Sequence, residues 1–345
     1  MIQTNIDVKT TRIGVVGAGS WGTALANLLA HKGFSVAHWV YETDVKEQMQ
    51  KDRENRRFLP GVTLSENLHP SGDLEAVVAD KDLVLVVTPS HVTRETMSRC
   101  GSAIGDRTIV VSASKGIENK THLTMSGVLS EVIPGLSPDR LAVLTGPSFA
   151  REVARKVPTV VTVASSDADT AVFVQQVFVT NYFRVYTIED MIGAELGASV
   201  KNVIAIAAGV IDGLGLGLNT RAALITRGLV EIRRLGLAMG AQPRTFTGLA
   251  GVGDLILTCT GDLSRNHTIG KQIGEGKKLN DLLAEMHMVA EGVKTAKSVY
   301  NLSRKLGVEM PISHAIYHLL YEDLDPKIAL HQLMTRDLKQ ELDEI

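Results

Sequence analysis

The sequence predicts a doubly wound α/β domain over residues 1–187, followed by an all-α domain over residues 188–345. Three observations carry this prediction. Short β-branched runs alternate with helical patterns through the first half, which implies a mostly parallel sheet with helices on both faces. After about Tyr186 the β signal fades and long helical periods take over. The first strand pattern also runs directly into Gly17-Ala-Gly19-Ser-Trp-Gly22, the spacing of a Rossmann-type turn.

The strand candidates are Arg12–Val16, Ser35–Tyr41, Leu83–Thr88, Thr108–Ser112, Leu141–Leu144 and Thr159–Ala164. Several are continuous Val/Ile/Leu runs, as strands buried on both faces require. Helix candidates lie between them: Trp21–Lys32, Asp44–Lys51, His91–Cys100, Leu123–Val132 and Ala168–Phe178. Leu59-Pro60-Gly61 reads as a turn. The second half offers helices over Met191–Val210, Arg221–Met239, Val293–Lys305, Ile312–Tyr321 and Pro326–Leu342. Pro311 and Pro326 stand where a first helical residue would, and Gly240 and Gly307 where helices would stop. The cluster Gly213-Leu-Gly-Leu-Gly217 reads as an interhelical turn.

Composition narrows the class. The chain has 345 residues, 44% hydrophobic and 21% charged, with a net charge of −2. Such a balance gives no global basic field, so neither nucleic acid nor an anionic membrane is an expected partner. The two cysteines, Cys100 and Cys259, form no C-x-x-C or metal-like cluster and fit free thiols in a reducing, cytoplasmic compartment. The N-terminus lacks a signal-peptide pattern, and no apolar run reaches the roughly 18–20 residues a membrane span needs.

Each glycine of the turn has a physical job. Gly17 permits the tight turn, Gly19 lets backbone approach a pyrophosphate, and Gly22 lets the following helix pack on the strand. The helix N-terminus, opened by Ser20 and Trp21, presents N–H groups and a partial positive charge to phosphates. Glu42, beside Tyr41, lies 20 positions beyond Gly22 at the end of the next strand pattern. A carboxylate there hydrogen-bonds a ribose 2′-OH and repels a 2′-phosphate. The expected cofactor is NAD or NADP, with NAD preferred; Arg53, Arg56 and Arg57 are near enough in sequence to rescue NADP binding.

Ligands of such sheets bind beyond the carboxyl ends of the strands. Thr88-Pro89-Ser90, Ser114-Lys115-Gly116 and Gly146-Pro147-Ser148 emerge at that edge. Position alone leaves Lys115 equally an anion-binding cation or a solvated loop lysine. Lys201 is odder. Its helical neighbours are Gly197, Ala198, Ile204 and Ala205, none of them a carboxylate. Burial lowers a lysine's pKa and a nearby cation lowers it further, which suits a general acid or base near neutral pH. The competing reading is a lysine snorkelling along an apolar helix. Asn202 could hydrogen-bond a substrate oxygen. Asp254, in Gly251-Val-Gly-Asp254, sits among apolar residues and wants a cation, for which Lys201 is a candidate; it reads also as a helix N-cap. Ser264-Arg265-Asn266 offers a guanidinium fork plus an amide, suited to phosphate or carboxylate. His314 and His318 have helical metal-ligand spacing, but the glutamate of H-E-x-x-H is missing, so no metal is expected.

Taken together, these residues resemble the NAD(P)-dependent glycerol-3-phosphate dehydrogenases. The resemblance is carried by Gly17–Gly22, Ser114–Gly116, Gly146–Ala150, Lys201–Val203, Asn219–Gly228, Gly251–Leu255, Ser264–Asn266 and Val289–Gly292, and so spans nearly the whole chain. It implies that Lys201 exchanges the proton of the C2 hydroxyl. It implies that Lys115, Gly146, Ser148, Asn202, Asp254, Ser264, Arg265 and Asn266 line the substrate. It assigns Ser20, Trp21, Lys115, Ala150, Arg265, Val289 and Glu291 to the dinucleotide. The implied activity is reversible reduction of dihydroxyacetone phosphate to sn-glycerol 3-phosphate, supplying glycerophospholipid synthesis, in a cytoplasmic homodimer. Where many bacterial members carry His or Arg after the second strand, this chain has Trp39-Val-Tyr41-Glu42. Two alternatives stand: a related dehydrogenase acting on another small phosphorylated or carboxylated molecule, and a nucleotide-sensing protein without catalysis.

Overall fold

In a computed structural model, residues 6–285 and 290–341 are described. They fall into two compact units, Met1–Ser114 with Met125–Met191, and Lys115–Thr124 with Ile192–Ile345.

The first unit is a Rossmann-like α/β unit. Its strands are β1 (Arg12–Val16), β2 (Ser35–Trp39), β3 (Glu54–Asn55), β4 (Leu59–Thr63), β5 (Leu68–Ser71), β6 (Leu83–Val86), β7 (Ile109–Ser112), β8 (Leu141–Thr145), β9 (Thr159–Ala164) and β10 (Phe183–Ile188). Eight of them form one sheet in the order β10-β9-β8-β7-β6-β1-β2-β5. All neighbours run parallel except β8 and β9. The continuous apolar runs are explained by burial on both faces. In β6, Leu83 and Leu85 enter one core cluster while Val84 and Val86 enter another. After β1 the chain steps to β2 and β5, then returns to β6 on the other side. Strand order reverses there, and Gly17 follows β1 at that switch point, where such sheets take their ligands.

Four sequence expectations need correction. Leu59-Pro60-Gly61 is not a turn; it opens β4, which pairs antiparallel with β3 as a separate two-stranded ribbon. A ribbon edge tolerates a proline that a central strand would not. Strands β5 and β10 lie at the two sheet edges, and neither shows the buried-run signal. β5 contains Pro70, and β10 alternates buried Phe183 and Val185 with exposed Arg184 and Tyr186. The second strand stops at Trp39, leaving Tyr41 72% exposed. The last helix ends at Met334 rather than Leu342. Beyond Met334 the first apolar side chain, Leu338, is fully exposed, so no buried face holds another helical turn.

Helix Ser20–Lys32 starts immediately after Gly19 and has neither an acidic first turn nor a side-chain cap. Gly22 is what seats it. A Cβ added there would stand 2.0 Å from the Gly17 carbonyl oxygen. Gly22→Ala must therefore push the helix off the strand. We expect a loss of about 1–3 kcal/mol in stability together with weakened NADH binding, measurable by thermal unfolding and by NADH titration.

The second unit is helical and organised around helix Met191–Gly213. By length and composition alone this helix could cross a membrane, contrary to the expectation that no segment could; its apolar window is 100% buried inside the protein. It is a core helix in which Glu195, Ser199, Lys201 and Asn202 are buried too. Helices Gly217–Ala238, Glu291–Leu306, Pro311–Tyr321 and Pro326–Met334 follow it in the chain, with Pro311 and Pro326 in their first turns and Gly307 in the left-handed cap position. Segment Lys115–Thr124 belongs to this unit, which one break at residue 187 does not capture. Ile117 is buried in the helical core, its carbonyl accepts from Ser298 Oγ at 2.8 Å, and Gly116 N donates to Ser199 Oγ at 2.9 Å.

Candidate active site

Lys201 lies on the buried core helix with 4% of its surface exposed. The small residues around it do what their size suggests: a Cβ at Gly197 would stand 2.3 Å from the Ala250 carbonyl oxygen, so the segment before Asp254 lies directly against the helix. That segment, Leu249–Gly253, is a wide π-type turn leading into helix Asp254–Thr260. Asp254 is the first residue of that helix rather than its N-cap, and it is 1% exposed. Its Oδ1 accepts from Lys201 Nζ and its Oδ2 from Lys115 Nζ at 3.0 Å. One buried carboxylate thus joins two lysines that are 86 positions apart in the chain, which removes the solvated-loop reading of Lys115.

A third group completes the arrangement. Lys201 Nζ donates to Thr258 Oγ1 at 2.7 Å, and that hydroxyl donates to the Asp254 carbonyl oxygen at 2.6 Å. The sequence reading missed Thr258. Its signal was present, because residues four apart share a helix face and Thr258 follows Asp254 by four. Burial drives the Lys201 amine down to about 7, since desolvation of the ammonium outweighs the attraction of Asp254; the Lys115 charge pushes the same way as burial. Lys201 is therefore held fast and titrates near neutrality, which suits a group that both donates and accepts a proton.

Near this cluster in the same unit, Ser264 caps helix Arg265–Gly274 by accepting from His267 N. Arg265 opens that helix. Burial lowers its pKa, with the Glu291 carboxylate opposing. Asn266 accepts from Gly292 N through Oδ1 at 3.0 Å, which fixes the orientation of its amide. Asn202 is buried beside Lys201, and its carbonyl oxygen would meet a Cβ at Gly292 at 2.7 Å. The structure thus brings Lys115, Lys201, Asn202, Asp254, Ser264, Arg265, Asn266 and Glu291 into the helical unit. Val289 lies outside the described residues.

The other predicted residues stand in the α/β unit. Gly17 has φ 115°, and a Cβ there would meet the Val87 carbonyl oxygen at 2.7 Å. The turn is tied to β2 twice: Gly17 N donates to the Trp39 carbonyl at 3.3 Å, and His38 Nε2 bonds the Gly17 carbonyl at 3.0 Å. Burial drives the His38 imidazole down to about 4, so it is neutral and Nε2 carries the proton. Gly19 differs from Gly17 and Gly22, because a Cβ there would meet nothing within 4 Å among the described residues. The turn is packed from below and open at the one position where a pyrophosphate needs close backbone approach, so these residues fit a dinucleotide. Trp21 Nε1 is buried with no hydrogen-bond partner among the described residues. Glu42 occupies the N-cap position of helix Thr43–Asp52 without capping it, which leaves its carboxylate to another use. Gly146 has φ 135°, Ser148 Oγ donates to the Gly146 carbonyl at 3.1 Å, and Ala150 opens the short helix that follows.

The two helical histidines are engaged locally. His314 Nε2 bonds Ser303 Oγ and His318 Nδ1 bonds Glu322 Oε2, each at 2.8 Å, and both rings pack edge-on to Tyr300.

Comparison with known proteins gives one consistent picture. The family model described as NAD-dependent glycerol-3-phosphate dehydrogenase N-terminus matches residues 12–171, and that for the C-terminus matches residues 190–331. The chain is 56% identical over 331 residues to a protein of Syntrophobacter fumaroxidans named glycerol-3-phosphate dehydrogenase (NAD(P)+), covering 96% of this chain and 97% of that one. A protein of the same name from Geobacter sulfurreducens is 55% identical over 330 residues, covering 96% and 98%. The crystal structure of glycerol-3-phosphate dehydrogenase from Coxiella burnetii superposes with a TM-score of 0.91 at 41% identity, covering 94% and 99%. With both halves of the family matched and the buried Lys115–Asp254–Lys201 cluster in place, the chain belongs to the NAD-dependent glycerol-3-phosphate dehydrogenase family.

Proposed function

We propose that this protein reduces dihydroxyacetone phosphate to sn-glycerol 3-phosphate, reversibly, and that Lys201 supplies the proton. The carrying observation is the buried Lys201 ammonium, fixed by Asp254 and Thr258 and titrating near 7. Full-length relatives more than 50% identical carry the name of this activity. When bound, NAD(P)H supplies the hydride to C2 of the ketone. The carbonyl oxygen then gains negative charge, and Lys201 Nζ donates one proton to it, leaving a neutral amine. In oxidation the neutral amine takes that proton back. Lys115, the second cation on Asp254, stabilises the developing oxyanion. Arg265 and Asn266 take the phosphate, with Asn202, Gly146 and Ser148 completing the substrate's polar contacts. On the nucleotide, Gly17, Gly19, Ser20, Trp21 and Gly22 take the pyrophosphate, and Tyr41 and Glu42 the ribose; Ala150, Val289 and Glu291 complete that set. The reading carries a homodimer in the cytoplasm that supplies glycerophospholipid synthesis. The buried free thiols of Cys100 and Cys259 fit that compartment. The test is product analysis: the purified protein should form one sn-glycerol 3-phosphate per NADH consumed, and absence of turnover would overturn the proposal.

NADH is the preferred cofactor in this reading. Two of the three arginines near Glu42 in sequence already have carboxylate partners at the surface. Arg56 pairs with Asp52 at 3.3 Å and Glu54 at 3.2 Å, and Arg57 with Asp44 at 3.7 Å. Arg53 Nη1 donates to the Leu68 carbonyl at 3.0 Å. Glu42→Arg should therefore move the NADH/NADPH ratio of kcat/KM by about tenfold or more towards NADPH, the scale of one charge-assisted contact at about 1.5–3 kcal/mol. An unchanged ratio would show that Glu42 does not face the ribose.

A further inference from the structure

Asp212 stands in the last turn of the core helix, outside the Lys201 cluster. Its Oδ2 accepts from His267 Nε2 at 2.8 Å and from Arg221 Nη1 at 2.9 Å. His267 is the third residue of helix Arg265–Gly274, and its backbone N–H donates to the capping Ser264 Oγ at 3.3 Å. The same carboxylate therefore ties together three elements: the core helix, helix Gly217–Ala238 and the first turn that presents Arg265 and Asn266.

The two helices that carry Asp212 and His267 touch backbone to backbone. A Cβ at Gly209 would stand 2.0 Å from the His267 carbonyl oxygen, and one at Gly213 2.2 Å from that of Lys271. From the other side, a Cβ at Gly270 would stand 2.0 Å from the Ile206 carbonyl oxygen, and one at Gly274 2.4 Å from that of Val210. These glycines fix the helix body. They do not fix the side-chain face of its first turn, where the Asp212–His267 bond acts.

We propose that Asp212 and His267 are positioning residues for phosphate recognition, holding the Ser264–Asn266 turn so that the Arg265 fork is set before substrate arrives. The proposal rests on the reading of Arg265 as the phosphate ligand. Side chains of Asp212, Arg221 and His267 are each only 11–26% exposed, so the bonds among them are shielded from water and hold the first turn in one orientation. Their effect belongs in binding. A guanidinium that must be reoriented loses the advantage of a preset fork.

Steady-state kinetics with dihydroxyacetone phosphate, with thermal unfolding of each variant, test this in Asp212→Ala, His267→Leu, His267→Gln and Arg265→Ala. Asp212→Ala and His267→Leu should raise KM by about tenfold with kcat within about twofold, the pattern of lost binding without lost chemistry. Inhibition by inorganic phosphate should weaken in parallel. His267→Gln keeps a nitrogen donor near the position of Nε2 and should restore KM. A normal KM in Asp212→Ala, while Arg265→Ala raises it, overturns the proposal. So does a joint fall of kcat and melting temperature that His267→Gln does not rescue. A normal KM in Arg265→Ala would instead remove the phosphate reading of Arg265, and this proposal with it.

Discussion

Lys201→Ala should lower kcat for dihydroxyacetone phosphate reduction by about 10²–10⁴-fold, the usual contribution of a positioned general acid. Among the described residues, the donors on the Asp254 carboxylate are Lys201 and the Thr258 hydroxyl at Oδ1 and Lys115 at Oδ2. Folding should survive the change, because Lys115 remains to neutralise Asp254. Lys201→Arg should be almost as inactive. A guanidinium stays charged and gives up no proton near neutral pH. Binding of NADH, titrated by fluorescence, should be nearly unaffected in both variants, since the open glycine turn belongs to the α/β unit.

Asp254→Ala should produce the second large effect, on stability and on the pH profile together. Removing this carboxylate leaves Lys201 buried near Lys115 with no counter-charge. Because the amine sheds its proton near neutral pH, the cost is that of an unmet buried polar group, about 1–3 kcal/mol, to be read from denaturant unfolding. Asp254→Asn keeps the shape and isolates the electrostatics. Among the influences on Lys201, burial and Lys115 lower its pKa while Asp254 raises it. Without the Asp254 charge the amine falls further below 7. Reduction needs the protonated amine, so its rate is lost as pH rises through that pKa, and the alkaline limb should move to lower pH in Asp254→Asn. Oxidation needs the neutral amine, so its acid limb should move the same way. A pH profile that stays in place would show that Asp254 does not set the lysine's titration.

Much of this fold was legible because parallel strands buried on both faces leave an unmistakable record. The runs Leu83–Val86 and Ile109–Ser112 needed no partner to be recognised. Edge strands leave a weaker one: β5 carries a proline, and β10 alternates buried and exposed residues within six positions. The site divides the same way. An unpaired lysine among small residues pointed to Lys201, and an acid in an apolar run pointed to Asp254 as its partner. That Lys115 packs with the helical unit was not legible, because the loop after β7 looks like any other loop at a sheet edge until Gly116 meets Ser199. Nor was the Asp212–His267 bond, which joins residues 55 positions apart through helices whose contact depends on four glycines.

The central claim is that Lys201 supplies the proton, and chemical rescue tests it most directly. Single-turnover NADH oxidation with dihydroxyacetone phosphate should be about 10²-fold or more slower in Lys201→Ala, and small primary alkylamines should restore the rate in proportion to their concentration. A Lys201→Ala enzyme that turns over at the wild-type rate without any added amine would contradict it.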